Sequence, residues 1–207
     1  MFVLLYIRTN VWGGYMKTIF HIDVNSAFLS WEAAKRIKLG DTFDLRTVPS
    51  AVGGREKDRR GIILAKSFPA KRFNIKTGET IRSAIEKCPE LIIVKPDYIT
   101  YRWYSNKMFE LLCDFSDRIE RYSIDECFLD YTGMENIYGP AINGARLISE
   151  RIKNELGFTV NIGISKNKIL AKMAGELEKP DKIHTLWPEE IEEKMWPLPV
   201  NELFMAG

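Results

Sequence analysis

Apolar and polar positions along the chain change period several times, and each change marks an element. The run "KTIFHIDV" is apolar and β-branched up to a single acid, the pattern of a short buried strand. In "NSAFLSWEAAKRIKLG", Ala27, Trp31 and Ala34 recur at helical spacing; Asn25 or Ser26 can cap this helix and Gly40 can end it. "LRTVPSAVGG" and "RRGIILAKS" read as two strands joined by the charged loop "GGREKDRR". "GETIRSAIEKCPE" is a helix closed by Pro89, and "LIIVKPD" is a further buried strand. A long amphipathic helix covers "ITYRWYSNKMFELLCDFSDRI", with Met108, Leu111, Leu112 and Phe115 as its apolar stripe.

Beyond it, "IERYSIDECFLDYT" holds two short strands with a turn near Ser123 to Glu126. "YGPAINGARLISERIKNELG" is helical and "FTVNIGIS" is a strand. "SKNKILAKMAGELEKP" is a helix capped by Ser165 and stopped by Pro180. No internal repeat or low-complexity tract interrupts this order, which implies an α/β (α+β) sheet backed by helices, with an inserted lobe. The opening "MFVLLYIRTNVWGGYM" has neither a basic region before its apolar start nor a small-residue cleavage site. Residues 1–15 are expected to be an extension outside the fold.

Composition is that of an ordinary globular chain, 45% apolar and 28% charged. The net charge of +2 does not argue for nucleic acid, but its distribution is uneven. Eight basic residues (Arg55, Lys57, Arg59, Arg60, Lys66, Lys71, Arg72 and Lys76) crowd one segment against Glu56 and Asp58, which suits a polyanionic ligand. An odd count of three cysteines without CxxC spacing excludes a disulfide framework or a zinc site and fits a reducing cytoplasm. No apolar run approaches the roughly 20 residues that span a bilayer, so no membrane partner is expected.

The candidate chemistry lies in "YSIDECFLD", where Asp125 and Glu126 stand side by side between strand-forming residues. Alternation would send them to opposite faces, but a turn at "SIDE" lets both face one site. Asp23 ends another strand with the same buried character. Carboxylates gathered at strand ends repel unless cations separate them. Oxygen-only ligands point to hard divalent ions, Mg²⁺ first and Mn²⁺ as a substitute. Two such ions can serve phosphoryl transfer. Each acid taken singly also fits a capping or turn role. The apolar flanks of both stretches argue against that, since such strands seldom carry an acid without a use. No P-loop, GxGxxG turn or Ser/His/Cys nucleophile arrangement is present.

Together "FHIDVNSAFLSWE", "YSIDECFLD" and "NIGISKNKILAKMAGELEKP" resemble the Y-family (translesion) DNA polymerases, especially bacterial enzymes similar to DNA polymerases IV and V. The resemblance runs from about Lys17 to the last residue. It implies a palm with a mixed or antiparallel sheet at residues 16–26 and 94–187, fingers at 27–93 and the start of a thumb at 188–207. It further implies template-directed transfer of a dNMP from a dNTP to a primer 3′-OH. Asp23, Asp125 and Glu126 match the catalytic carboxylates that hold two Mg²⁺, with the Val24 carbonyl as a further ligand. Phe28 matches the steric gate against a ribose 2′-OH. Lys172 matches a triphosphate ligand.

Phe68 and Lys71 fall where the family usually has a Tyr and an Arg that grip the triphosphate; Phe68 lacks the hydroxyl and Lys71 lacks the bidentate fork. Arg72 can supply charge beside them. Cys127, Phe128 and His21 read as core, although alternation does not force His21 away from Asp23. Ser165 and Lys166 read as capping and positioning residues.

The partners implied are primer–template DNA, a dNTP and, through regions beyond this chain, a sliding clamp. A palm and fingers alone are expected to extend primers weakly and to self-associate through apolar surface. Competing readings are a catalytically idle binding module of the mutagenesis machinery and a two-metal nuclease. The first has no use for clustered acids, and the second needs neither a gate aromatic nor a triphosphate lysine.

Overall fold

The computed structural model describes residues 17–54 and 61–205. The expected extension at 1–15 and most of the charged loop, with Arg55, Lys57, Arg59 and Arg60, lie outside the described residues. The described residues form two compact units, one of residues 17–23, 110–152 and 160–205, the other of residues 24–54, 61–109 and 153–159.

A five-stranded sheet organises the first unit, in the order β5-β6-β1-β7-β8. Its strands are β1 (Ile19–Val24, whose final residue belongs to the second unit), β5 (Ile119–Arg121), β6 (Glu126–Asp130), β7 (Val160–Ser165) and β8 (Ile183–Thr185). β1 and β6 pair antiparallel, as do β5 and β6, whereas β7 and β8 are parallel, so the sheet is mixed. β1 and β7 lie inside the sheet and are buried almost throughout, which is why both read as continuous apolar runs. Asp23 is the one residue of β1 left half-buried. The short β8 was not expected: "IHT" is too brief and too polar to show a strand period.

In the first unit α5 (Glu135–Tyr138) and α6 (Ala141–Arg151) precede α7 (Lys168–Glu176), which packs on β7 with unusual intimacy. A methyl group on Gly163 would lie 2.0 Å from the Ala171 carbonyl oxygen and 2.3 Å from the Gly175 nitrogen, so only glycine permits this approach. Leu170, Met173 and Ala174 join Leu186 and Ile191 in one buried cluster, and Ala171 meets Ile19 and Phe128 in another. Asn161, fully buried on β7, donates from Nδ2 to the carbonyls of Gly175 (3.0 Å) and Glu178 (2.6 Å), satisfying acceptors that the end of α7 leaves open. The cap at the other end is Asn167, whose Oδ1 accepts from the Leu170 amide at 2.9 Å. Ser165 is therefore not the cap; it is the last residue of β7, and its hydroxyl donates to the Leu186 carbonyl.

The second unit contains α1 (Ala27–Lys38) and a three-stranded sheet of order β3-β2-β4. Its strands are β2 (Ser50–Gly53), β3 (Ile63–Lys66) and β4 (Ile92–Val94). β2 pairs antiparallel with β3 and parallel with β4. Ala51, Ile63, Ala70, Ile75, Ile81, Ala84, Cys88 and Leu91 form its small core. β4 is not a buried strand as expected: it lies at the sheet edge and Ile92 is 37% exposed. Ser26 does precede α1, but in the left-handed region (φ 48°) and without a side-chain cap; the Ser30 hydroxyl instead donates to the Asn25 carbonyl at 2.5 Å. α2 (Phe68–Lys71) and α3 (Ile81–Lys87) are short, and α4 (Tyr98–Leu112), whose last three residues belong to the first unit, is the long helix; Met108, Leu111 and Leu112 are buried on it as expected, whereas Phe115, also buried, lies beyond its end.

Among the described residues no helix is long and apolar enough to cross a membrane.

Candidate active site

The β1–β6 register places Asp23 directly opposite Glu126, and His21 opposite Phe128. Alternation then puts His21, Asp23, Glu126 and Phe128 on one face. Asp125 stands just before β6, in a tight turn closed by the Tyr122 and Ser123 amides, which both donate to the Glu126 carbonyl at 3.1 Å. The Ser123 hydroxyl donates to Asp125 Oδ1 at 2.7 Å and fixes that side chain. Asp125 thus stands in the turn, ahead of the strand alternation that begins at Glu126.

Basic groups answer this acidity. Lys172, near the middle of α7, donates from Nζ to Glu126 Oε2 at 2.5 Å. His21 Nε2 lies 2.7 Å from the same oxygen, and since an ionised carboxylate only accepts, Nε2 carries the proton. His21 Nδ1 is buried and has no hydrogen-bond partner among the described residues. Lys179 Nζ lies 2.6 Å from Asp23 Oδ2. Sequence reasoning missed Lys179 and read His21 as core while leaving it beside Asp23; His21 is fully buried and also grips Glu126.

The electrostatics of the two opposed acids differ. Burial disfavours the charged form of Glu126, but the hydrogen bonds from His21 and Lys172 outweigh it and hold the carboxyl down at about 2. Burial raises Asp23 above its ordinary value; Lys179 opposes the rise, and the negative charges of Glu176 and Asp125 add to it. Lys172 is itself framed by aromatic rings, with its ammonium 5.4 Å from the Tyr122 centroid and 5.3 Å from that of Phe204. A cavity of about 430 Å³ opens beside it, lined also by Met173, Glu176, Leu198 and Phe204.

The donor set of Asp23, Asp125 and Glu126 is all oxygen, the chemistry that hard divalent cations require. Their oxygens are nevertheless engaged by Lys179, Ser123, His21 and Lys172, and among the described residues no group of three or more His, Cys, Asp or Glu side chains is arranged to hold a metal ion. A cation at this set competes with Lys179 and Lys172 for Asp23 and Glu126. Val24 closes β1 beside Asp23 and is buried.

The remaining expected residues lie in the second unit. Phe28, half-buried on α1, stacks on Tyr101 (centroids 4.8 Å apart, planes at 10°) and meets Tyr98 edge-on at 6.1 Å. The ring is thus pinned on one side but not sealed in a core. Phe68 opens α2 after its cap Ser67, and Lys71 Nζ sits 3.8 Å from the centre of the Phe68 ring. The pair expected to grip phosphate has formed a cation–π contact within itself.

Comparison with known proteins agrees with the motifs. The chain is 57% identical over 195 residues to the DNA polymerase IV of Clostridium acetobutylicum, a match covering 92% of this chain and 48% of that protein. A second DNA polymerase IV, from Alkaliphilus oremlandii, is 40% identical over 91% of this chain and 46% of its own length. The chain thus spans about half the length of the curated relatives it matches. Among solved structures, a Y-family DNA polymerase chimera superposes with a TM-score of 0.80 at 27% identity, covering 92% of this chain and 54% of its own. Residues 22–176 match the model of the impB/mucB/samB family, and the chain belongs to that family.

Proposed function

We propose that this chain carries the palm and fingers of a translesion DNA polymerase that adds a dNMP from a dNTP to a primer 3′-OH on template DNA. On this reading the five-stranded sheet with its helices is the palm and the lobe with the three-stranded sheet is the fingers. The observation that carries it is the register that sets Asp23 against Glu126, with Asp125 held in the adjoining turn. The relatives named DNA polymerase IV and the Y-family structural match support the same reading.

Asp23, Asp125, Glu126 and the Val24 carbonyl would hold two Mg²⁺ ions. When bound, such ions supply activation of the attacking hydroxyl and stabilisation of the leaving oxygen. The chain's own groups orient and neutralise. Lys172 offers an ammonium to a triphosphate, where charge grows in the transition state. The Tyr122 and Phe204 rings limit where that ammonium can go. His21 fixes one oxygen of Glu126 and leaves the other free to ligate. Phe28, held flat against Tyr101, presents a rigid ring that a ribose 2′-OH would strike. Lys71 brings positive charge without a guanidinium fork, so phosphate contact from this lobe is electrostatic rather than bidentate.

The test is Mg²⁺-dependent dNTP incorporation by the protein and by its Asp125→Ala/Glu126→Ala variant. The variant should lose incorporation; equal primer extension by both would refute the assignment.

A further inference from the structure

Lys179 has no part in the proposed nucleotide chemistry, yet it makes the closest cationic contact to Asp23. Its Nζ donates to Asp23 Oδ2 at 2.6 Å and to Glu176 Oε1 at 2.8 Å. These two acceptors are not equivalent. The Asp23 side chain is 17% exposed, whereas that of Glu176, the last residue of α7, is 47% exposed. Removing the partner of an enclosed charge is costly because the charge is left unpaired. A lysine with a second carboxylate already in hand can leave the first without that penalty to itself.

Resting on the reading that Asp23 takes part in holding divalent cations, we propose that Lys179 is an exchangeable internal cation. It neutralises Asp23 when no metal ion is bound and withdraws onto Glu176 when one is, so that the Asp23–Lys179–Glu176 relay sets the cation affinity of the site.

An ammonium and a dication on one carboxylate repel each other, so the Lys179–Asp23 contact weakens cation binding there and a bound cation weakens that contact. The sheet end needs some cation in any case: Asp23 and Glu126 face each other and Asp125 adjoins them, with Lys172 and Lys179 reaching this group among the described residues. Lys172 already has a second role available at the triphosphate, and Glu176 gives Lys179 its alternative. The movement required is small. Asn161 fixes the end of α7 through the Gly175 and Glu178 carbonyls, so the backbone before Lys179 stays in place while its side chain turns.

Mn²⁺ binding to the purified chain, followed by electron paramagnetic resonance of the free ion, tests the relay. Lys179→Gln should tighten Mn²⁺ binding by roughly tenfold, since the competing charge is gone. Glu176→Gln should weaken it, because Lys179 then has Asp23 alone. In the Lys179→Gln background the Glu176 substitution should change affinity by less than about twofold, the signature of coupling. Unchanged or weaker binding in Lys179→Gln overturns the inference. So does an equal effect of Glu176→Gln in both backgrounds, which would make Glu176 a plain neighbouring charge. Mn²⁺ binding indifferent to Asp125→Asn would place the ion elsewhere and sink the metal-site reading itself, the relay with it. Both side chains are partly exposed, and melting curves check that each variant folds.

Discussion

His21 Nε2 lies 2.7 Å from Glu126 Oε2, a contact made diagonally across the β1–β6 pair from a fully buried imidazole. A charge-assisted hydrogen bond of this kind contributes more than a neutral one. His21→Leu removes it and leaves Glu126 to Lys172 alone. The expected loss is roughly 1–3 kcal/mol in urea denaturation. Stability within about 0.5 kcal/mol of the parent would mean that the bond does not support the fold.

Gly163 is the second point on which the site depends. Gly163→Ala would drive a methyl into the Ala171 carbonyl and the Gly175 amide, both backbone atoms of α7 that have little room to yield. A loss of about 3 kcal/mol is expected from such overpacking, read as a lower urea midpoint. A midpoint like the parent's would show that α7 can stand off the sheet.

Acid sensitivity should appear in the second unit. The hydrogen bond from Lys35, then those from the Thr100 hydroxyl and amide, hold the Asp97 carboxyl below its ordinary value of 3.8. A depressed carboxyl contributes stability that is fully present above the unfolded value and is lost as pH falls through the folded one. The stability gap between the parent and Asp97→Asn should therefore be widest near neutral pH and shrink below about pH 4. A gap that stays constant from pH 7 to about pH 3 would contradict the shift.

Phe28 carries the proposed sugar discrimination. Phe28→Ala should admit ribonucleotides while dNTP incorporation persists. Unchanged sugar selectivity would return the ring to packing against Tyr101.

Much of this was legible in the sequence because it was local. The apolar runs of β1, β6 and β7 and the turn at Ser123 to Glu126 follow from side-chain type within a few residues. The spacing of His21 and Asp23 already put them on one face. What spacing could not disclose was contact between distant segments. Lys179 and Asp23 are 156 residues apart, and a lysine before a proline carries no mark of a buried acid. Asn161 reads as a polar interruption of a strand until α7 is laid over it. Asn167 and Ser165 are both good caps, and only the hydrogen bond from the Leu170 amide to Asn167 Oδ1 decides between them. The edge position of β4 is likewise a property of the sheet and not of "IIV". Phe68 and Lys71 departed visibly from the family pattern, but their turning toward each other required coordinates.

On the proposed reading, Asp23, Asp125 and Glu126 form one divalent-cation site once the lysines withdraw. Crystals grown with Mn²⁺ and a non-hydrolysable dNTP test it most directly through the anomalous signal of the metal. Anomalous peaks are expected within about 2.3 Å of oxygens from all three carboxylates, with Lys179 displaced from Asp23. A dNTP-bound crystal with no peak there, and with Lys179 and Lys172 still seated on Asp23 and Glu126, would contradict it.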